Sequence, residues 1–533
     1  MSKKPNKASR SIAELEHENS MLRAEIDDLK LKLEHMNEIL VNMQRARFGQ
    51  SSEKQKYVSP DQLCIFNEAE TEQDPKAPEP DEKTIIVPEH KRKPKKSLED
   101  KIKELPSEEV IIDLPEDERN CSHCGKPLRK MGKKFLRKEI ITIRKEIKVV
   151  NYYAYTYTCD YCEKSKGISR IYTVQAPEPL IKHSYASPSL VADVMTQKYV
   201  DGVPLARQEK IWLRDGFELS RATMANWMIK VAEKWLKPLY KLMKKQLLEG
   251  SVIYADETVV QVLKEDGKAP QSESRMWVYG SDIRSGKAIR IFEYQPDRTG
   301  ERCKRFLNGF KGYLVSDGYT AYNAVENVTR CGCWAHMRRE WRDAMPKGAT
   351  VDNSKAAVGY NYCNKLFALE KKWKNVSNAQ RLLDQRNAAK KLVDEYFLWV
   401  RTVDPVVGSK LEDAVNYALN QEQYLRAFLK NGEVEISNNF AENAIRPFVI
   451  GRKNWLFSDT VKGAKSSAII YSLIETAKAN GVEPYAYLML VLTDMQDMGR
   501  PFSNEELESF MPWSEELKDS IASRTRPVPL TGN

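Results

Sequence analysis

Residues 251–263, SVIYADETVVQVL, form an apolar, β-branched run of strand length with two acids, Asp256 and Glu257, at its middle. A carboxylate inside a buried strand is costly to desolvate, so it is normally neutralised, paired or bound to a cation. Side chains alternate along a strand, and Asp256 and Glu257 therefore point to opposite faces. Only one of them can serve a given site.

Two further acids sit where they can meet it. Residues 312–319, GYLVSDGY, read as a short strand ending at Asp317, with Gly318 permitting the turn beyond. Residues 436–446, ISNNFAENAIR, read as a helix start capped by Ser437 or Asn438. On that helix Asn438, Glu442 and Arg446 recur every fourth position and share a face, leaving Phe440, Ala444 and Ile445 to pack inward. Pro447 should end or kink it just past Arg446. A lone Asp before Gly is usually a turn residue. Two strand acids and one helix acid together can converge on a pair of hard cations, Mg2+ or Mn2+.

The chain has 533 residues, enough for roughly three or four domains. Its hydrophobic fraction of 41% and charged fraction of 30% describe a soluble protein, and no apolar run approaches the ~18 residues of a spanning helix. No targeting segment is visible at the start, where MSKKPNKASR leads into charged helix. A net charge of +10 permits polyanion binding without requiring it. Nine cysteines include two Cys-x-x-Cys pairs, which without a secretion signal favour metal over disulfide and a reducing, cytoplasmic location.

Ile12, Leu15, Asn19, Leu22, Ile26, Leu29, Leu33, Met36, Leu40 and Met43 alternate spacings of three and four, an a/d seam for a leucine-zipper coiled coil over 1–50. Asn19 at an a position favours a parallel homodimer, and assembly on DNA can be larger. Residues 51–118 read as a charged, Pro-containing linker. Within it Lys91, Arg92, Lys93, Lys95 and Lys96 make a basic cluster suited to a phosphate backbone, although a solvated charge run has the same composition. Cys121, Cys124, Cys159 and Cys162 then suit tetrahedral Zn2+, in a zinc-ribbon-like β module over 119–170 whose intervening strands, 138–150 and 152–158, read as a hairpin.

From 185 to 245 the pattern is helical. Ser220 caps a helix whose early Arg221, Thr223 and Asn226 can face DNA as in a helix-turn-helix, a pattern also common in proteins that never touch DNA. Residues 246–343 carry three antiparallel strands and then alternating helix and strand, the order of a ribonuclease-H-like sheet whose first and fourth strands would hold adjacent carboxylates. Cys331, Cys333 and His336 suggest a further metal site by residue type, but the stretch is apolar with no fourth candidate close by, so they read as packing at a strand end, with His336 at the rim of the acids. Residues 344–430 read as a helical insertion, 431–480 as the last-acid helix with its following segment, and 481–533 as a helical tail. Past Glu442, Arg446, Arg452 and Lys453 suit phosphate contacts and Trp455 a stacking role, against the alternatives of salt bridges and a core tryptophan. The fold class is thus multidomain α/β.

The order of zipper, tether, Cys-x-x-Cys pairs, YADET (254–258), SDGY (316–319) and CWAHMRR (333–339) resembles the insertion-sequence-66 family of bacterial transposases. The densest part is NNFAENAIRPFVIGRKNWLFS, 438–458, followed by YSLIETAKANGVEPYAY, 471–487. It departs at Asn443, where many relatives carry arginine. The resemblance implies a DDE transposase of ribonuclease-H-like fold, with Asp256, Asp317 and Glu442 as its triad. Such an enzyme cleaves phosphodiesters at the ends of an insertion element with two divalent ions and transfers the freed strand to target DNA. Its partners would be those DNAs and accessory proteins encoded by the element, in the nucleoid. A nuclease on the same fold would share the acids without needing a zipper; a regulator that had lost catalysis would keep the zipper, zinc module and tether with no use for three acids.

Overall fold

The computed structural model describes residues 18–23, 25–26, 36, 147–152, 156–158, 171–173, 178–345, 354–498 and 502–525. Met1–Gly49 and Val150–Asn533 make one unit and Gln50–Val149 another. Of the seam positions, Asn19, Leu22, Ile26 and Met36 are described, and all four are helical and exposed. The four Cys-x-x-Cys cysteines and the basic cluster at 91–96 lie outside the described residues.

A small antiparallel pair joins β1 (Thr156–Thr158) to β2 (Ile171–Thr173). Residues 147–152 carry no strand, and β1 pairs forward with a segment beyond the second Cys-x-x-Cys; the rest of the expected hairpin, 138–146 and 153–155, lies outside the described residues. Both partners have strand-forming composition, and a pairing to a later segment leaves no local trace in the sequence.

Four helices follow: α1 (Pro188–Tyr199), α2 (Leu205–Arg214), α3 (Arg221–Val231) and α4 (Lys237–Leu248). Ser187 and Ser220 cap α1 and α3 with their hydroxyls. Between α3 and α4 the chain widens to a π turn over Ala232–Leu236. Pro238, in the first turn of α4, has no N–H to return to the preceding turn.

The main sheet begins with β3 (Val252–Lys264), β4 (Glu273–Ser281) and β5 (Ile289–Gln295), an antiparallel meander. Gly267, at φ 76°, makes the turn between the first two, where a side chain would be strained. After α5 (Gly300–Phe306) come β6 (Tyr313–Val315), a 3₁₀ turn (Thr320–Ala324) and β7 (Thr329–Cys331). β6 runs parallel to β3, and β7 parallel to β6, giving the order β5-β4-β3-β6-β7.

α6 (Trp334–Ala344) leads into the insertion, α7 (Lys355–Lys372), α8 (Asn378–Asp384), α9 (Lys390–Val400) and α10 (Lys410–Leu425), with a π turn at Gln385–Ala389. Both α7 and α10 pack on α6. Then come α11 (Asn439–Trp455), β8 (Ser458–Thr460), α12 (Val461–Ala479), α13 (Pro484–Met498), α14 (Asn504–Ser509) and α15 (Glu515–Thr525). β8, unforeseen in the sequence, adds in parallel to the far end of β3.

One face of the sheet carries α5 and the 3₁₀ turn: Tyr279 stacks on Phe306 at 3.8 Å and Trp277 meets Tyr322 edge-on at 5.7 Å. The other carries α11, over β3 and β4, and α12, over β5. α12 is apolar nearly all round because it is enclosed on all sides, touching the sheet, α1, α3, α4 and α13. Its Ser472 and Thr476 hydroxyls accept the N–H groups of Phe292 and Arg290 at 2.8 and 3.0 Å, closing the outer edge of β5. One continuous apolar core runs from Leu180 to Leu517. Among the described residues no helix is long and apolar enough to cross a membrane.

Candidate active site

Val252, Ile253 and Tyr254 of β3 pair with Tyr313, Leu314 and Val315 of β6. Asp256 and Asp317 each lie two residues beyond the last of these couples, level with one another on adjacent strands ~4.8 Å apart. Asp256 shares its face of β3 with Tyr254, whose ring lies 4.8 Å from Phe440 of α11. Glu257 faces the other way. There it accepts the Tyr322 hydroxyl at 2.5 Å and pairs with Arg298, with only 2% of its side chain exposed.

α11 brings Glu442 to the Asp256 face. Asn438 stands at its N-terminus but does not cap with its side chain, as the sequence reading expected of it or Ser437. Its Nδ2 instead donates to the Ala255 carbonyl at 2.8 Å, tying the helix start to the residue before Asp256, and its backbone N–H donates to Cys333 Sγ at 3.1 Å. The tie across to β3 competes with the local cap and wins because both groups are buried.

His336 Nδ1 and Arg339 Nη2, both from α6, lie 3.7 Å from Glu442 Oε1 and Oε2 respectively. Glu442 Oε1, His336 Nδ1 and Asn438 Oδ1 are buried without a hydrogen-bond partner. Burial pushes the Asp256 carboxyl up to about 8; the charges of Glu257, Asp317 and Glu442 add to this, and the Glu257 N–H opposes it. Burial also pushes the His336 imidazole below its usual value, with Arg339 helping and Glu442 and Asp317 opposing. The three acids therefore act on one another, and Glu442 Oε1 and His336 Nδ1 lack the partners that would settle them.

Asp317 is braced from behind. Its Oδ1 accepts the Tyr319 N–H at 3.0 Å, and its carbonyl accepts Arg330 Nη2 at 2.6 Å. Arg330 is buried, pairs with Asn323, and lies 4.3 Å over the Tyr424 ring of α10. The sequence reading missed it, although a charged residue inside the short buried β7 was the same signal that marked Asp256. Gly318 serves a close approach rather than a special φ: a Cβ there would sit 2.9 Å from the Tyr417 ring.

The basic residues divide. Arg446 and Lys453 are exposed on α11, whereas Arg452 turns back and donates to the Val259 carbonyl of β3. Pro447 does not end the helix: α11 continues to Trp455, because Ala441, Ala444, Ile445, Phe448 and Gly451 hold one face to the core. Asn443, whose carbonyl Pro447 leaves without an N–H, is exposed to water. Trp455 packs edge-on to Tyr199 at 6.3 Å, which is the core role. On α3, Arg221 and Asn226 are exposed while Met224, Trp227, Met228 and Val231 are buried, and the Arg221 N–H donates to Glu209 of α2 at 2.9 Å.

Cys331 ends β7 and Cys333 precedes α6; both are buried free thiols. Among the described residues, Cys333, His336 and Glu442 bring three potential ligand atoms within 4.8 Å of one another.

Four family models match the chain. "Transposase IS66 family" matches residues 183–466, and "IS66 C-terminal element" matches 472–513. "Transposase C of IS166 homeodomain" covers 35–110, and "zinc-finger binding domain of transposase IS66" covers 118–163, which contains all four Cys-x-x-Cys cysteines. Among curated relatives, the uncharacterized protein y4qI of Sinorhizobium fredii is 33% identical over 365 residues, 66% of each chain. This chain thus spans about two thirds of that relative's length. The uncharacterized proteins y4hP and y4jD of the same organism are 26% and 27% identical, over 77% of this chain and 75% and 81% of theirs. The models account for the sheet, the three acids' elements, the cysteine pairs and the C-terminal helices together, and the chain belongs to the IS66 family of transposases.

Proposed function

We propose that the protein is a DDE-type DNA transposase with a ribonuclease-H-like core, in which Asp256, Asp317 and Glu442 jointly hold divalent ions. The observation that carries this reading is the parallel pairing of β3 with β6: it sets Asp256 and Asp317 level on neighbouring strands, beneath a helix bearing Glu442. Strand order and directions support the fold assignment.

The donor set fits Mg2+ or Mn2+. It is all carboxylate oxygen, and a buried Glu442 oxygen without a partner, beside an Asp256 carboxyl held protonated by burial and then by its neighbours' charges, is the imbalance that a cation relieves. When bound, such ions supply Lewis acidity to the scissile phosphate and a nucleophilic oxygen at neutral pH. The protein's own groups do the positioning. Arg330 and the Tyr319 N–H fix Asp317; Asn438 fixes the start of α11 against Ala255; His336 and Arg339 orient Glu442. Arg298 and Tyr322 hold Glu257 on the opposite face, away from substrate.

Exposed Arg446 and Lys453, continuing along α11 from Glu442, suit the phosphates of DNA flanking the cleaved bond, and Arg221 and Asn226 on α3 offer a second contact surface. The N-terminal seam, as a parallel zipper, would pair two copies and with them two element ends. The four cysteines would hold a structural zinc. Activity is tested with a duplex carrying the ends that flank the gene. The purified chain should nick it with Mg2+, and Asp256→Asn and Glu442→Gln should bind the duplex with unchanged salt dependence yet cleave at least a hundredfold more slowly. Cleavage retained by both variants sinks the assignment.

A further inference from the structure

Cys333 and His336 stand three residues apart across the first turn of α6, and Glu442 faces them from α11. Together they present sulfur, imidazole nitrogen and carboxylate oxygen within 4.8 Å of one another. Cys333 is fully buried, with the Asn438 backbone N–H on its sulfur at 3.1 Å. His336 Nδ1 and Glu442 Oε1 are 3.7 Å apart, buried, and without hydrogen-bond partners. Two orphaned polar atoms side by side next to a thiol call for a shared partner.

That donor set is wrong for a hard ion and right for a zinc-class one, whose sulfur and nitrogen ligands lie ~2.0–2.3 Å from the metal and so ~3.3–3.8 Å from each other. Side-chain shifts of about 1 Å would close the present arrangement onto such an ion. Arg339, beside the other Glu442 oxygen, is the one opposing charge in contact with that acid among the described residues; its side chain is 45% exposed and has solvent to move into.

We propose that Cys333, His336 and Glu442 form a second, switchable site for a zinc-class divalent ion, with a fourth position left to water, and that filling it withdraws Glu442 from Asp256 and Asp317. The second half of this rests on Glu442 being the third carboxylate of the proposed active site. The device makes a hard-ion centre sensitive to free zinc: the softer ligands offered by α6 compete for the one acid that comes from a helix, while the two strand acids stay in place.

Co2+ serves as the probe, titrated into the full-length chain and followed by its visible and thiolate charge-transfer absorption. Wild type should take up one equivalent more than Cys333→Ser and one more than His336→Gln, with helix content by circular dichroism unchanged. Asp256→Asn, which removes no ligand of this site, should keep the wild-type thiolate charge-transfer band. Excess Mg2+ should weaken this Co2+ equivalent at least threefold in wild type and not in Asp256→Asn. Equal uptake by wild type and both single variants overturns the site. An equivalent that is lost in both variants but indifferent to Mg2+ overturns the withdrawal of Glu442. Neither readout uses DNA cleavage, so failure here is distinguishable from failure of the transposase reading.

Discussion

Asp256 is a carboxyl that the fold keeps protonated near neutrality, and that has a measurable cost. Its pKa in the folded chain is about 8 against an ordinary 3.8, so between those values the folded state binds more protons than the unfolded one. Stability from this group therefore falls as pH rises from about 4 to about 8. In EDTA, Asp256→Asn should gain roughly 1–3 kcal/mol over wild type at pH 9 and little at pH 4, because the amide carries no charge to desolvate and still accepts the Glu257 N–H. Denaturant melts at the two pH values measure it; an equal gain at both would show that charge is not the cause. Arg330 is the reverse case, a buried charge whose partners are all satisfied by it. Arg330→Met should cost about 2–4 kcal/mol and slow cleavage, since it strands Asn323, leaves the Asp317 carbonyl with the Ser316 hydroxyl at 3.1 Å, and loosens the acid they brace. A variant of normal stability and rate would remove Arg330 from the site's support.

At the scale of elements, the acid-bearing strands and helix were legible because each carries a local contradiction: a carboxylate in a β-branched run, an Asp closing a strand, a Glu in the first turn of a helix with an apolar face. What the sequence did not disclose is where those elements attach. Asn438 has the composition of a cap and the neighbours of a rivet, and nothing local distinguishes them. Cys333 and His336 read as strand-end packing because α6 begins between them, and their meeting with Glu442 spans more than a hundred residues. β8 is three residues long and finds its partner only through the fold. The edge of β5 is another such case. Ser472 and Thr476 look unremarkable in an apolar helix, yet they complete the hydrogen bonding of an outer strand. Ser472→Ala should leave the buried Phe292 N–H without a partner and lower stability by about 1–3 kcal/mol, more than the few tenths expected of an exposed Ser→Ala change in a helix. Hydrogen exchange at Phe292 should accelerate in the variant; protection unchanged at that amide would mean that the hydroxyl is not what closes the edge.

At the scale of the molecule, the divisions drawn from the sequence near residues 245 and 480 run through one core. α13 packs on α1, α14 on α4, and α12 lies between the sheet and the N-terminal helices. Tyr199 joins these parts at one point, its hydroxyl 3.0 Å from Ser467 and its ring edge-on to Tyr471 at 4.9 Å and Trp455 at 6.3 Å. The helices before the sheet thus rest on helices that follow it, and the acid helix α11 is fixed between them. A chain ending before Pro484 would strip Tyr487, Leu488, Leu490, Val491, Leu492 and Met495 from the core and leave part of α1 uncovered. Burial of a single such side chain contributes about 1.5–3 kcal/mol, so losing six forfeits about 9–18 kcal/mol, as much as the ~5–15 kcal/mol by which most domains are stable. The truncated chain should therefore fail to unfold cooperatively and should aggregate. Limited proteolysis of the intact protein offers the complementary measurement: no fragment beginning near 178 and ending near 250 should accumulate, because those helices have no separate core to survive on. Release of such a fragment in folded form would divide the molecule where the sequence suggested, and would detach α1 to α4 from the positioning of Glu442.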